Sequence, residues 1–493
     1  MAPRGRARGS GRGAEDEGAP RRRRRLSPEE LLDIVMADEA EEVEPPRVVD
    51  RSEHEVSRRD IDPDALKILY RLQDKGFRGY LVGGGVRDLM LGLRPKDFDI
   101  ATDASPRQLK RLFGNGRIIG RRFQLVHIHY PNGKIIEVAT FRSTGESDRV
   151  ERNGELIHRD NVFGTPSEDA LRRDLTINGL FYDIATFAII DYVGGFQDLE
   201  DGLVRMVGDP VHSFREDPVR MLRAIRHATR LGFEIERETR RALESEREEI
   251  LKANEARLLE EFYKDLASGR SRPYFEELDA TGFLELLLPS LTATFRRRGA
   301  RRGRALLQES LERLDERHAR GEEISHVLGL AALLSPLIVP VTETLGGSGN
   351  EPNPEPFREA LMPALERVRV YRRDAERLWH VLGAWGRLER AMERESIPKS
   401  LSRRHYFPEA LDVFELLSEP SDELDAFLEL GRSLPPPTEE PPEPKRRPRR
   451  GGRGRGRGGR GGEGSGGAAR ARGAARSPAG GAERPASQGS DGG

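Results

Sequence analysis

Two aspartates two residues apart, Asp97 and Asp99, follow the glycine triplet Gly83-Gly84-Gly85 in the stretch YLVGGGVRDLMLGLRPKDFDI. On an extended strand alternate side chains share a face, so the two carboxylates point the same way, roughly 6.6 Å apart. A pair at that separation can share two Mg²⁺ ions, the chemistry that activates an attacking hydroxyl and neutralises a departing pyrophosphate. The glycines let backbone N–H groups approach phosphates with no Cβ in the way. Arg87, one helical turn beyond Gly83 and Gly84, is expected to point at the same phosphates. Each half alone is weak: a glycine triplet after a strand is ordinarily a tight turn, and two aspartates on a strand edge are ordinarily a solvated pair. Together they read as the machinery of nucleotidyl transfer. A dinucleotide fold fits less well, because GGGVRD is not G-x-G-x-x-G and no acidic residue closes a strand about 20 positions later.

The elements that must hold these residues can be read from caps and periodicity. Asp62-Pro63 opens a helix with Leu66, Leu69, Tyr70 and Leu72 at helical spacing. A first strand, the short Arg87 helix, the aspartate strand and a helix capped by Ser105-Pro106 follow. Strands over 124–130 and 135–140 flank Asn132-Gly133, a type I′ hairpin signal. Glu137 lies between Ile136 and Val138, which face the core and turn it toward the aspartates. Residues 142–166 are polar and read as a mobile loop. From Glu168 the chain turns helical: Met221, Leu222, Ile225, Ala228 and Leu231 share one face, and 255–435 reads as all helix. Proline at position 218 starts a helix on which Arg220 and Arg223 fall three apart. The fold class is α+β: a small mixed sheet with helices on one face, followed by an all-helical neck and body.

LVGGGVRD…KDFDI resembles the class II nucleotidyltransferases, which include bacterial poly(A) polymerases and CCA-adding enzymes. The matching stretches continue as IIGRRFQLVHI (118–128), IIEVATFR (135–142), EDALRRDLTINGLFYD (168–183) and REDPVRMLRAIRHATRLGF (215–233), and the resemblance covers about 50–290. It implies that Asp97 and Asp99 hold Mg²⁺ and that Gly83, Gly84, Arg87 and Arg173 bind the nucleotide. In the motif resembling Arg172-Arg173-Asp174 the acid contacts the ribose or supports catalysis. Glu137 and Asp174 are therefore both open as a third carboxylate beside two ions of total charge +4; the bland readings are a surface strand residue and a helix-terminal ion pair. In the motif resembling Glu216-Asp217-Pro218-Val219-Arg220, Asp217 and Arg220, with Arg223 beside them, read the Watson–Crick edge in place of a template; the bland reading is surface ion pairing. The implied domains are a disordered extension (1–58), a catalytic head (59–185), a neck with the base-reading motif (186–290), an RNA-binding body (291–435) and a disordered Arg/Gly-rich tail (436–493).

The implied activity is template-independent polyadenylation of RNA 3′ ends with ATP. The alternatives are a CCA-adding enzyme and, in another class, a non-catalytic RNA-binding protein. IIGRRFQLVHI, with Arg121 and Arg122 at the nucleic-acid entrance, favours polyadenylation; EDPVR is common to both activities, and no phosphohydrolase-type His-Asp pair is seen in the helical half. Charge points to a polyanion as well. Of a net charge of −1, residues 1–25 carry +6 (nine Arg, three acids) and 445–493 carry +10 (thirteen Lys/Arg, three acids), leaving −17 between. The arginine-rich RRPRRGGRGRGRGGRGG suits single-stranded RNA; the tails are also expected to meet RNA-decay proteins. Zero cysteines exclude disulfides and fit a reducing cytoplasm. No signal peptide is recognised, and no run of 18 apolar residues suggests a membrane span.

Overall fold

The structure, a computed structural model, describes residues 45–120, 124–143, 149–152, 155–158, 163–296, 300–345 and 353–437. Both charged ends, and Arg121 and Arg122, lie outside the described residues.

The strands up to residue 191 are β1 (Arg47–Val49), β2 (Gly79–Val82), β3 (Asp99–Thr102), β4 (Gly116–Ile119), β5 (Leu125–His129), β6 (Ile135–Thr140), β7 (Arg149–Arg152), β8 (Glu155–His158), β9 (Leu180–Asp183) and β10 (Ile189–Asp191). Eight of them form one sheet in the order β1-β10-β9-β2-β3-β6-β5-β4. Only β3 and β6 run parallel; the other neighbours are antiparallel. The helices that matter for the site are α1 (Pro63–Asp74), α2 (Gly84–Met90), α3 (Pro106–Leu112), α4 (Pro166–Leu171), α5 (Gly195–Asp201), α6 (Pro210–Glu216), α7 (Val219–Leu231), α8 (Arg237–Ser245), α9 (Glu255–Leu266) and α10 (Ser271–Ala280).

Local chemistry explains most of these elements. The Asp62 side chain accepts from the Asp64 and Ala65 amides, Pro63 takes the first turn, and α1 buries Ala65, Ile68, Leu69 and Leu72. In β6 Ile136, Val138 and Thr140 are buried while Glu137 is turned to the other face, the alternation of a half-covered strand. A large core cluster runs from Val49 through the sheet and neck to Leu428 in the body.

The structure corrects several expectations. The head begins before residue 58 and ends after 185: β1 pairs with β10, adding an edge strand that three residues of RVV could not announce. The sheet is covered on both faces at its centre, because Tyr80, Val82, Phe141, Phe181 and Ile190 form a second cluster with Ala170 of α4. The 142–166 stretch contains the antiparallel hairpin β7–β8; Asn153-Gly154 between the two strands is the same signal read at 132–133. That earlier turn is not type I′. Gly133 has φ +81° but Asn132 is absent from the positive-φ residues, since Pro131 fixes the first corner at negative φ. The Gly133 amide donates to Tyr130 O at 3.0 Å and the Tyr130 amide to Lys134 O at 2.8 Å, a type I turn closed by a left-handed glycine. Within the stretch read as all helix, the chain breaks at Ala384 into two helices, Arg372–Gly383 and Trp385–Glu393. Among the described residues no single helix is long and apolar enough to cross a membrane; His326–Leu333 and Ser335–Leu345 reach that length only as a pair bent by 82°.

Candidate active site

β2 delivers the chain into Gly83, whose φ of +72° and ψ of −141° suit only glycine. Each glycine of the triplet has its own close neighbour. A Cβ on Gly83 would stand 3.0 Å from Arg173 Nη1, one on Gly84 3.3 Å from Arg87 Nη2, and one on Gly85 3.2 Å from the Asp97 carbonyl oxygen. The triplet therefore seats α2 directly against the backbone that carries the aspartates.

Asp97 lies in the extended segment before β3 and Asp99 is its first residue; both are exposed. Val82 pairs with Asp99, so the second aspartate sits across from the residue that precedes the glycines. Parallel pairing of Ile100 with Val138 brings Glu137 alongside Asp99. Asp99 opens to solvent yet is closely ringed by protein. Its carboxyl is pushed up to about 6, first by desolvation and then by the charges of Glu137 and Asp97, with Arg173 pulling the other way. Glu137 is also 3.5 Å from His127 Nε2, its cross-strand partner.

Among the described residues no three His, Asp or Glu converge into a metal cage. Mg²⁺ is ordinarily held by one or two carboxylates together with substrate phosphates. A pair of like charges that raises the pKa of one member, flanked by Glu137, suits such a half-built site.

Arg173 links the glycines to the carboxylates. It donates from Nη2 to Asp169 at 2.9 Å and from Nη1 to the Asn178 carbonyl at 3.2 Å. Its guanidinium lies 5.3 Å from the Phe181 ring, and its buried Nε has no partner.

Arg87 does something other than expected. It is 2 % exposed, and it donates to Asp88 from Nε (2.9 Å) and Nη2 (2.6 Å), to Asn178 Oδ1 (2.6 Å), and lies 3.2 Å from His227 Nδ1. Its place one turn into α2 rotates it under the neck helix α7, away from solvent. Asp174 is likewise drawn into this seam. Its Oδ2 accepts from Arg223 Nε at 2.6 Å and its Oδ1 from the Asn178 amide at 3.3 Å. Burial pushes its carboxyl up, but Arg223 and His227 outweigh that and hold it well below the usual range. Arg230 donates to Asp88 at 3.0 Å. Head and neck are thus stapled by Asp88, Asp174, Arg87, Arg223, His227 and Arg230.

Arg223 is consequently committed to Asp174 rather than standing beside Arg220. Arg220 donates from Nη1 to Ser213 Oγ (2.7 Å) and Glu216 (2.8 Å), with its Nε 4.0 Å from Asp217. Asp217 closes α6 and accepts both Nη groups of Arg257 from α9, at 3.0 and 2.8 Å. Sequence reasoning passed over Asp88, Asn178, His227, Arg230 and Arg257. The 220/223/227/230 spacing on α7 marks one helix face, but the partners lie up to 142 residues away. Arg257 carries no local signal.

Residues 79–205 match the family model of the poly A polymerase head domain, and residues 232–295 that of the probable RNA and SrmB-binding site of polymerase A. Poly(A) polymerase I of Salmonella typhi is 44% identical over 277 residues, 55% of this chain and 59% of that protein. The CCA-adding enzyme of Bacillus pumilus is 42% identical over 183 residues, 37% of this chain and 44% of that protein. The chain thus spans about three fifths of the first relative's length. A solved complex of a CCA-adding enzyme with ATP superposes with a TM-score of 0.50 at 21% identity, covering 78% of this chain and 83% of that one, which speaks to fold alone. The glycine turn, the aspartate pair and Arg173 all lie within the stretch that matches the poly A polymerase head domain, and it is this part of the chain that is similar to poly(A) polymerases and CCA-adding enzymes.

Proposed function

We propose that the chain is a polynucleotide adenylyltransferase that adds AMP from ATP to RNA 3′ hydroxyls without a template. The observation that carries this reading is the gathering of Asp97, Asp99, Gly83 and Arg173 at one end of the sheet, within a stretch of 277 residues that is 44% identical to a poly(A) polymerase I. The bond that forms joins the RNA O3′ to the α-phosphorus; the bond that breaks releases pyrophosphate. Asp97 and Asp99 are the residues that would hold Mg²⁺, which when bound supplies charge neutralisation at the phosphates and a more acidic 3′ hydroxyl. Glu137, beside Asp99, is the better placed of the two third-carboxylate candidates, because Asp174 is engaged by Arg223 and Asn178. Arg173 offers its guanidinium next to Gly83 as the partner for the triphosphate.

Asp174 and Arg87 act through other residues: they fix the angle of α7 against the head and so position Asp217 and Arg220. That pair would read the adenine edge, and the Arg257 fork holds the Asp217 carboxylate in one plane. RNA single strands enter as the acceptor, with the basic ends as auxiliary contacts and as docking arms for RNA-decay proteins, in the cytoplasm. The 42% identity to a CCA-adding enzyme supports the second reading, CCA addition. Supplying each of the four nucleotides with an oligo(A) primer, and separately with a tRNA lacking its terminal CCA, decides between them. ATP incorporation on oligo(A) is expected. CTP incorporation on the truncated tRNA at a comparable rate would establish CCA addition instead, and no incorporation with RNA binding retained would make this a binding protein.

A further inference from the structure

Away from the aspartate pair, Tyr263, His326 and Asp374 form an aromatic and charged cluster that the reaction does not use. Tyr263, on α9, and His326, at the start of helix His326–Leu333, stack with ring centroids 3.7 Å apart and an interplanar angle of 9°. Asp374 ties them together. It accepts from Tyr263 Oη and pairs with His326 Nδ1, each at 2.9 Å, and takes a third bond from Arg373 Nε at 3.1 Å. Burial would push the Asp374 carboxyl up, yet bonds from His326, Tyr263 and Arg373 outweigh it and keep it ionised. Burial and Asp374 together push the Tyr263 phenol well up, so it remains a donor. Leu259 and Leu330 form a small buried apolar cluster with Tyr263, and Val370 packs against it.

The upper side of this assembly is open. The His326 side chain is 44% exposed and that of Arg373 82% exposed, and Tyr371, 40% exposed, stands 6.3 Å from the Tyr263 ring. An imidazole fixed in plane by a stacked ring below and a buried carboxylate at its edge has lost its rotamer entropy already. That is the preorganisation a flat ligand requires. The location fits as well. Tyr263 lies eight residues beyond Glu255 on α9, about 12 Å along a helix, and the same helix carries Arg257 against Asp217.

We infer that the exposed face of His326, backed by Tyr263 and rimmed by Tyr371 and Arg373, stacks one base of single-stranded RNA upstream of the 3′ end. Aromatic rings and His platforms bind bases this way without reading sequence, and an adjacent guanidinium meets the phosphate. The inference rests on the reading that RNA is the acceptor, but its test needs no turnover.

Binding of fluorescent oligo(A) to the full chain is measured without ATP, with a single abasic residue moved through the oligonucleotide. One abasic position a few nucleotides from the 3′ end is expected to weaken binding about tenfold, and His326→Ala should weaken the intact oligonucleotide by a similar factor. In His326→Ala the abasic penalty should vanish, since the two changes remove the same stacking interaction. Tyr371→Ala, a change at the exposed rim, should weaken binding less. Equal affinity at every abasic position, or an unchanged abasic penalty in His326→Ala, overturns the inference, as does a body surface that binds protein and not RNA. Should RNA bind as described while no nucleotide is ever incorporated, the stacking site stands and the polymerase reading falls.

Discussion

Asp97 and Asp99 in the cleft, and Asp88 and Asp174 in the seam between head and neck, are the same residue type within one domain, yet they face opposite electrostatic situations. The seam is saturated. Asp88, 4 % exposed, accepts from Arg87 and Arg230, and Asp174 accepts from Arg223 and Asn178. The cleft carboxylates have one another and Glu137 as neighbours, so Asp99 is raised by like charge as well as by burial. Such repulsion is concentrated at sites where a cation or substrate relieves it. Charge that is balanced internally builds the frame; charge left unbalanced is available to a ligand.

The largest expected effect separates the two sets. Asp97→Ala or Asp99→Ala should reduce incorporation of labelled ATP below about a hundredth of wild type, while urea unfolding shifts by no more than about 0.5 kcal/mol. Asp88→Ala should do the reverse. It strands the buried Arg87 guanidinium, costs about 3–5 kcal/mol of stability and leaves residual activity at temperatures where the chain stays folded. If Asp88→Ala proved as stable as wild type, the seam would not be structural.

A smaller effect is expected at Gly83, where alanine would be forced to φ +72° against Arg173. The strain is about 1–3 kcal/mol, and displacement of Arg173 should weaken ATP binding, read by titration with a non-hydrolysable analogue. Gly76, at φ +80° with nothing within 4 Å of its Cβ position, is the control: strain without loss of nucleotide.

pH sharpens the contrast. Asp99 is raised to about 6 in the fold, above an unfolded value of about 3.9. Its contribution to stability is therefore fully present below about 4 and is lost as pH rises through about 6, while its capacity to bind a cation is gained over the same interval. Asp174 is depressed, so its contribution is present above the unfolded value and lost as pH falls. Mg²⁺-dependent activity should fall as pH drops through about 6. Glu137→Gln, which removes one like charge, should move that midpoint lower; an unmoved midpoint would assign the titration to another group.

The smallest effect concerns the end of the chain. Deleting 445–493 removes a net charge of +10. For every RNA phosphate that the tail no longer neutralises, the salt slope of single-strand binding falls by about 0.7. Affinity for RNA should therefore drop and depend less on salt, with ATP turnover at saturating primer near normal. An unchanged slope would assign the tail to another partner.

The contrast also divides what was legible in advance. The glycine turn, the aspartate pair and Glu137 facing outward between Ile136 and Val138 were readable, because strand alternation and a glycine-only φ are set within a few residues. Arg87 and Arg173 were read as equivalents, and nothing local distinguishes them. One lies under α7 at 2 % exposure while the other reaches Gly83, a difference made by the packing of a helix more than a hundred residues on. β1 was missed because three residues make no pattern until β10 offers its edge. The sequence by itself determined which residues could do chemistry and which strand and turn present them, since those are short-range consequences of backbone sterics and alternation. Only the tertiary structure decided which charges are spent on one another and which remain for a ligand, because burial and partnership depend on groups far apart along the chain.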